Sequence, residues 1–333
     1  MDESELIRRF FSSLGARRSD VSLGIGDDAA VLAVSPGCEL VMTTDALVEG
    51  VHFLPGAPPR SLGHRALAVN LSDIAAMGAS PSWMLLSLIL PQAQEAWLAE
   101  FCAGLAPLAE RHAVALVGGN LSRGPLSITV ELAGLVPAGR ALRRQGARPG
   151  DALYVSGTPG DAAAGRLLVQ YPTARSNTPA TQRADRTALM ARFEYPTARV
   201  ALGEGLRSLA SACIDVSDGL AVDARRMLAA SGCAAQIDAA LLPLSQSLQA
   251  FTDQAGWSVE QTLRLALCGG EDYELCFCAA PERESALHAL AATLGERVTR
   301  IGAVTAGAGV SVTWSNSDAP QLLEQSMFDH FGR

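Results

Sequence analysis

The sequence predicts two domains of α/β or α+β type that meet near residue 140. A length of 333 residues corresponds to about two domains of ordinary size. Short apolar runs alternate with segments of helical period along the chain. The first unit ends at the break Pro137-Ala138-Gly139, and a turn at Arg148-Pro149-Gly150-Asp151 opens the next. We therefore expect an N-terminal domain over residues 1–140 and a C-terminal domain over residues 141–333.

In the first domain, apolar runs bounded by glycine and proline predict strands. The expected strands are Ala29–Val34, Glu39–Thr44, Trp83–Leu90, Ala113–Val117 and Leu126–Val136. Helical periodicity predicts Leu62–Met77 and Gln94–Arg111 as helices. Ser61 is the expected N-cap of the first helix and Gly78 its stop, and Pro107 is expected to kink the second.

The second domain shows the same signals with a polar interruption. The expected strands are Ala152–Ser156, Tyr273–Ala279, Arg297–Val304 and Val310–Trp314. The expected helices are Asp161–Val169, Ala198–Leu209, Leu220–Ala230 and Glu282–Leu294. Residues 171–185 are polar and have no apolar period, which predicts a mobile loop.

Composition excludes several classes of protein. The chain is 49% hydrophobic and 18% charged, as globular proteins are. A net charge of −8 argues against a nucleic-acid-binding surface, and no apolar run approaches the ~20 residues of a membrane span. The acidic start Met1-Asp2-Glu3 is not that of a signal peptide. Seven cysteines without a CxxC pair indicate reduced thiols, so we expect a cytoplasmic protein.

All 26 basic residues are arginines, since the sequence contains no lysine. This excludes a Walker A lysine, a protein-kinase lysine, Schiff-base chemistry and a pyridoxal anchor. Any phosphate chemistry must therefore use metal ions, arginine or backbone amides.

Six aspartates stand among small or apolar neighbours instead of on an obviously solvated face. They are Asp27, Asp28, Asp45, Asp73, Asp215 and Asp218. A buried carboxylate must be paired, protonated or bound to a cation, and few arginines lie near these positions in the sequence. Carboxylate and hydroxyl oxygens suit Mg²⁺. The pattern favours a polycarboxylate Mg²⁺ site, with a set of unrelated structural turns as the alternative.

Two kinds of glycine pattern in the sequence are typical of phosphate-binding loops. Gly24-x-Gly26-x-x-Ala29 fits a dinucleotide fingerprint, but it is followed by a strand, and Asp27 and Asp28 would repel a pyrophosphate. We reject that reading. Gly-rich turns are also expected at 117–120, 156–161 and 268–272, where bare N–H groups suit phosphate, although each is individually more often only a turn.

Seven segments together resemble the thiamine-monophosphate kinase family in their residues and in their order along the chain. They are GIGDDAAVL, TTDALVEGVHF, GHRALAVNLSDIAAMGASP, GGNLSRGPLSITV, RRQGARPGDALYVSGTPGDAAAGRLL, ACIDVSDGLAVD and CGGEDYELCF. The C-terminal Phe328-Asp329-His330-Phe331 resembles the closing motif of that family. The resemblance covers nearly the whole chain.

The resemblance implies an aminoimidazole ribonucleotide synthetase-like fold, in which the N-terminal domains of a homodimer form a shared β-barrel and the C-terminal domain is α+β. It also implies ATP-dependent phosphorylation of thiamine monophosphate to thiamine diphosphate, with several Mg²⁺ ions and ATP as co-substrate. Neither nucleic acid nor a membrane is expected as a partner.

The resemblance also implies site residues, in three groups. Oxygen atoms that would hold Mg²⁺ belong to Asp27, Thr43, Thr44, Asp45, Asp73, Asn120, Asp215 and Asp218. ATP would contact Gly119, Asn120, Arg144 and Ser217. Thiamine monophosphate would contact His52, Glu271 and Phe328. Asp28 and Asp272 match neighbouring family positions and receive no direct role.

Asn120 is the one visible departure, because the family usually has Asp at that position. The neutral side chain keeps an oxygen ligand and loses a charge, so metal binding at that corner is expected to weaken.

The acceptor is a phosphate monoester, which needs no general base and no covalent nucleophile. We expect direct in-line transfer. His52 remains an alternative phosphate carrier. Two other functions stay open: a different ATP-using reaction on the same fold, such as amidine formation or selenophosphate synthesis, and non-catalytic binding of nucleotide or metal.

Overall fold

The computed structural model describes residues 2–171, 180–314 and 321–322, and it divides into two compact units. The N-terminal unit comprises residues 1–74 and 79–141, and the C-terminal unit comprises residues 75–78 and 142–333. Within the described residues, no helix combines the length and the apolar character that crossing a membrane requires.

The N-terminal unit contains a four-stranded mixed sheet in the order β3-β6-β4-β5. Its helices are α1 (Glu3–Leu6, continued by a π-helical turn at Ile7–Phe11), α2 (Pro59–Ala76) and α3 (Glu95–Arg111). Its strands are β1 (Val21–Leu23), β2 (Val31–Leu32), β3 (Cys38–Val48), β4 (Ser80–Leu90), β5 (Ala115–Arg123) and β6 (Ser127–Pro137). β4 and β5 are parallel, whereas β6 pairs antiparallel with both β3 and β4.

One face of this sheet is buried along its length, and the other is covered only in part. Ile128, Val130 and Leu132 alternate along β6 with no exposed area, as expected where every second side chain faces a core. On the opposite face Met42 is 61% exposed and Leu85 37%. The sheet therefore presents an uncovered apolar surface within the N-terminal unit.

Helices α2 and α3 cross at very short distance, and glycine makes the crossing possible. A Cβ atom at Gly63 would lie 2.0 Å from the Phe101 carbonyl oxygen, and one at Gly104 would lie 1.9 Å from that of Arg60. The Ser61 hydroxyl donates to the Pro58 carbonyl oxygen at 2.9 Å, and the helix already begins at Pro59. The prediction that Ser61 caps α2 was wrong.

The C-terminal unit contains a seven-stranded sheet in the order β13-β12-β9-β11-β7-β10-β8. Its strands are β7 (Ala152–Ser156), β8 (Ala212–Val216), β9 (Ala234–Asp238), β10 (Glu274–Ala279), β11 (Val298–Thr305), β12 (Gly309–Thr313) and β13 (Gln321–Leu322). Its helices are α4 (Asp161–Gln170), α5 (Ala180–Glu194), α6 (Val200–Leu206), α7 (Leu220–Ser231), α8 (Gln246–Ala255), α9 (Val259–Cys268) and α10 (Glu284–Leu294). All neighbouring strands are antiparallel except the pair β9 and β12.

The structure corrects several predicted boundaries. β3 extends to Val48, so Asp45 lies inside a strand instead of ending one. β5 runs through Gly118 and Gly119, where a turn was expected. α5 occupies residues 180–194, so the predicted loop over 171–185 is wrong from residue 180 onward, and residues 172–179 lie outside the described part of the chain. Seven other elements were not predicted: α1, β1, β8, β9, α8, α9 and β13.

Candidate functional site

A cavity of about 1020 Å³ in the N-terminal unit brings together three predicted site residues. Asp27, Gly119 and Asn120 line it, as do Asp28 and Glu131. Asp27 is exposed, and its Oδ1 atom accepts a hydrogen bond from the Asp28 backbone N–H at 2.8 Å. The arrangement places carboxylate and amide oxygens beside a largely apolar sheet surface.

The Gly119 backbone is constrained by its neighbour strand. Its φ is +153°, and a Cβ atom there would lie 2.0 Å from the Leu86 carbonyl oxygen of β4. Gly119 is therefore needed for close pairing of β4 and β5, whatever it binds. The side chain of the next residue, Asn120, is exposed.

Strand β3 distributes its three predicted ligands over two faces of the sheet. Successive strand residues point to opposite sides, so Thr43 and Asp45 share one face and Thr44 shares the other with Glu131 of β6. The Thr43 hydroxyl donates to Asp73 Oδ2 of α2 at 2.5 Å. With its proton directed at Asp73, the Thr43 oxygen keeps its lone pairs for another partner, which fits a cation.

His52 has a structural role in the segment that follows β3. Its Nδ1 atom accepts a hydrogen bond from the Val48 backbone N–H at 3.0 Å, and the His52 backbone N–H donates to the Val48 carbonyl oxygen at 2.9 Å. Because Nδ1 is an acceptor, the proton of the neutral ring lies on Nε2. The imidazole is thus held in one orientation and one tautomer.

In the C-terminal unit, Asp215, Ser217 and Asp218 lie on β8 and in the loop that leads into α7. Asp215 is 6% exposed and lies on the opposite face of β8 from Ile214 and Val216. The predicted residues thus stand within four positions of one another at the end of a fully buried strand.

Asp223, which sequence reasoning missed, organises this loop. The backbone N–H groups of residues 217–219 all donate to Asp223 Oδ2, at 2.9–3.2 Å. Arg226 Nη1 lies 2.8 Å from Asp223 Oδ1 and 2.5 Å from Asp218 Oδ2. Burial raises the pKa of Asp223, although the backbone N–H of Asp218 and the Arg226 guanidinium oppose that effect. The sequence signal was an acid in the first turn of a helix after a glycine turn.

Glu271 is brought to the same loop by backbone pairing. Its N–H donates to the Ser217 carbonyl oxygen at 2.7 Å, and the N–H of Tyr273 donates to that of Val216 at 2.8 Å. Glu271 and Tyr273 both have positive φ, 65° and 51°. The structure therefore places Glu271 beside Ser217 and Asp218, in a backbone conformation that is uncommon outside glycine.

Asp272 has the structural environment of a helix cap. It is fully buried, and both of its carboxylate oxygens accept from the Gly160 N–H at 2.9–3.0 Å, at the start of α4. Burial raises its pKa to about 8, while the Gly160 N–H lowers it. This contact joins the Glu271 loop to the turn before α4.

A cluster of polar side chains, which the sequence analysis did not predict, surrounds the buried Glu274 of β10. Ser156 Oγ donates to it at 2.5 Å, and Arg192 and Arg199 bind its carboxylate at 2.6–2.7 Å. Burial opposes ionisation of Glu274, yet Arg199 and Arg192 hold its pKa below the usual value. The group fixes the strand that follows the Glu271 loop.

Two predicted residues are not joined to these clusters by any described contact. Arg144 is exposed, and its carbonyl oxygen accepts a hydrogen bond from the Ser231 hydroxyl at 3.0 Å. Phe328 lies outside the described residues.

The premise that the aspartates are buried away from partners is only partly correct. Asp27 and Asp45 are exposed, Asp73 and Asp218 are half-buried, and Asp215 is buried. Asp218 has an arginine partner, which lies one helical turn beyond Asp223. Within the described ranges, no three acidic, histidine or cysteine side chains form a group able to hold a metal ion. The donors are nonetheless hard oxygens, the ligand type that Mg²⁺ prefers.

Similarity to known proteins extends over nearly the whole chain. Residues 26–136 match the family model of the AIR synthase related protein N-terminal domain, and residues 148–315 match that of the C-terminal domain. The thiamine-monophosphate kinase of Escherichia coli (strain K12) is 44% identical over 329 residues, which are 99% of this chain and 98% of that protein.

Solved structures agree in fold. The crystal structure of thiamine-monophosphate kinase from Stenotrophomonas maltophilia K279a has a TM-score of 0.82 at 46% identity, over 89% of this chain and 92% of that chain. A structure described as AaThiL complexed with AMPPCP and TMP has a TM-score of 0.78 at 35% identity, over 92% of both chains.

Proposed function

We propose that this chain, which belongs to the thiamine-monophosphate kinase family, transfers the γ-phosphoryl group of ATP to thiamine monophosphate and so forms thiamine diphosphate. The observation that carries the proposal is 44% identity to a thiamine-monophosphate kinase over nearly the full length of both proteins. The related complex with AMPPCP and TMP supports ATP as co-substrate. The two-domain α/β fold agrees with this family.

The reaction joins two phosphorylated molecules, so repulsion between them is the main obstacle. The acceptor oxygen belongs to a phosphate monoester that is largely dianionic near neutral pH, and no side chain has to remove a proton from it. Transfer is direct and in line, with no phosphoenzyme. The chain's contribution is to hold the two substrates in alignment and to offset their charge.

In this proposal, eight residues supply oxygen ligands for Mg²⁺: Asp27, Thr43, Thr44, Asp45, Asp73, Asn120, Asp215 and Asp218. The hydrogen bond from Thr43 to Asp73 supports that role, because it orients two hard donors together. Bound Mg²⁺ would neutralise phosphate charge. Gly119, Asn120, Arg144 and Ser217 contact ATP, and His52, Glu271 and Phe328 contact thiamine monophosphate.

A coupled assay of ADP release, run with and without thiamine monophosphate, tests the function. We expect ADP release to depend on thiamine monophosphate and thiamine diphosphate to accumulate in equal amount. ADP release that depends on another acceptor would identify a different reaction on this fold. Nucleotide binding without turnover would indicate a non-catalytic nucleotide-binding protein.

The metal proposal has its own test at Asn120. Restoring a carboxylate with Asn120→Asp adds a ligand charge and is expected to lower the Mg²⁺ concentration for half-maximal activity by about tenfold. A Mg²⁺ titration of both proteins at fixed ATP measures it. Superimposed curves would remove Asn120 from the metal site.

We also propose a homodimer built on the N-terminal unit. The uncovered sheet face supports it, since Leu40 and Met42 of β3 are 46% and 61% exposed. Light scattering should give twice 34.7 kDa, and a monomer at micromolar concentration would contradict the proposal. All seven cysteines are free thiols, which supports a cytoplasmic location.

A further inference from the structure

The loop between α9 and β10 has a backbone that its sequence alone would not hold. Gly270, Glu271 and Tyr273 have φ values of 70°, 65° and 51°. Glycine tolerates that region, whereas side chains with a Cβ atom are strained there by about 1–3 kcal/mol each. Contacts with the surrounding structure must therefore hold Glu271 and Tyr273 in this conformation.

Three anchors hold the loop. The N–H groups of Glu271 and Tyr273 donate to the carbonyl oxygens of Ser217 and Val216. The Asp272 carboxylate binds the Gly160 N–H at the start of α4. These anchors fix the loop backbone, but none of them determines where the Glu271 carboxylate points.

The side chain of Tyr273 contacts that carboxylate directly. Its hydroxyl donates to Glu271 Oε2 at 3.1 Å. The Tyr273 side chain is largely buried, as the residue is 9% exposed, whereas Glu271 is half-buried. A packed phenol is a rigid donor, so the bond restricts the rotamers of the more mobile glutamate.

We propose that Tyr273 is a positioning residue, which holds the Glu271 carboxylate in the orientation that receives thiamine monophosphate. The proposal rests on the proposed function and on the assignment of Glu271 to the acceptor. A carboxylate suits the cationic and N–H-bearing groups of thiamine, and its affinity for them depends on direction. Tyr273 does not touch substrate in this scheme and acts through Glu271.

The test removes only the hydroxyl, with Tyr273→Phe. The KM for thiamine monophosphate should rise about five- to tenfold, because a hydrogen bond to a charged group in a half-buried site is lost. The kcat and the KM for ATP should stay within about twofold. Titration calorimetry with thiamine monophosphate should show the same weakening of affinity.

Tyr154→Phe is the matched control. Tyr154 is another buried tyrosine of the C-terminal unit, and among the described residues its hydroxyl has no hydrogen-bond partner. It stacks on Phe277 at 5.3 Å between ring centroids, a contact that phenylalanine keeps. Tyr154→Phe should leave both KM values and kcat unchanged.

A double-mutant cycle separates positioning from general loosening. In a Glu271→Gln background the weaker acceptor leaves little for the hydroxyl to orient, so adding Tyr273→Phe should change the KM by less than twofold. An equal effect of Tyr273→Phe in both backgrounds would overturn the proposal, as would an unchanged KM in a wild-type background that does bind thiamine monophosphate. A wild-type protein that binds ATP but not thiamine monophosphate would refute the proposed function first, and with it the acceptor role of this pair.

Discussion

Replacement of Asp223 should release the loop that carries Ser217 and Asp218. In the folded protein one carboxylate oxygen of Asp223 accepts three backbone N–H groups and the other binds Arg226. Asparagine in the same position has only one acceptor oxygen. If that oxygen faces the loop, the amide NH₂ meets the Arg226 guanidinium, and if it faces Arg226, the NH₂ meets three N–H donors. Neither orientation satisfies both sides.

The size of the effect follows from the number of bonds and from burial. Asp223 is 1% exposed, and hydrogen bonds to a charged group are worth about 1.5–3 kcal/mol each. The four bonds share one side chain and do not add. Removing one partner of a buried charged group costs about 3–5 kcal/mol. We expect Asp223→Ala to lower the free energy of unfolding by that amount and Asp223→Asn by about 2–3 kcal/mol.

Urea unfolding followed by circular dichroism measures the loss, and amide hydrogen exchange over residues 216–220 locates it. The exchange of the three loop amides should accelerate more than that of the β8 strand. Asp253→Asn, at an exposed position of α8, is the control and should shift stability by less than ~0.5 kcal/mol. The reasoning fails if Asp223→Asn matches this control, or if the loop amides exchange as they do in the wild type.

Three further substitutions test separate parts of the fold. Gly119→Ala should lower the free energy of unfolding by more than ~3 kcal/mol, because the new Cβ atom would lie 2.0 Å from the Leu86 carbonyl oxygen. Gly118→Ala is the control, since a Cβ atom there meets only the end of the Leu85 side chain. Equal melting temperatures of the two variants would contradict the prediction. Asp73→Asn should fold normally, lose most activity and need more Mg²⁺, and near-wild-type turnover at limiting Mg²⁺ would contradict it. A native pKa of about 8 for Asp272 lies above its unfolded value, so its contribution to stability is full below about pH 4 and is lost progressively up to about pH 8. Asp272→Asn should therefore flatten the decline in stability between about pH 4 and 8, and parallel pH profiles of the unfolding free energy for the two proteins would refute this.

Hydrophobic periodicity located most of the long elements because each has one buried face. β4 and β6 were predicted from their apolar runs, and their core-facing residues are buried as expected. The same signal found only the first part of β5, predicted as Ala113–Val117, because Gly118 and Gly119 were interpreted as a turn. An edge strand that pairs on one side needs no continuous apolar run, and glycine serves there to admit the neighbouring backbone.

The motifs suggested candidate site residues, but they did not reveal the contacts that those residues make. Asp218 was expected to lack a counter-ion, whereas Arg226 binds it at 2.5 Å. The pairing arises because α7 begins directly after the loop and returns Asp223 and Arg226 to its base. An interaction between a loop residue and the helix that follows depends on the helix start, which sequence patterns place only to within a few residues.

The absence of lysine has a structural counterpart in how the C-terminal unit uses arginine. Arg199 binds both oxygens of the buried Glu274 through Nε and Nη2, a two-point contact that a lysine ammonium would not reproduce. Arg192 binds the same carboxylate, and Arg226 lies between Asp218 and Asp223. Because these three guanidinium groups neutralise carboxylates of the protein itself, their charge is not available to the phosphates of two substrates. The charge of the substrate phosphates must therefore be met by other arginines, by backbone N–H groups or by Mg²⁺.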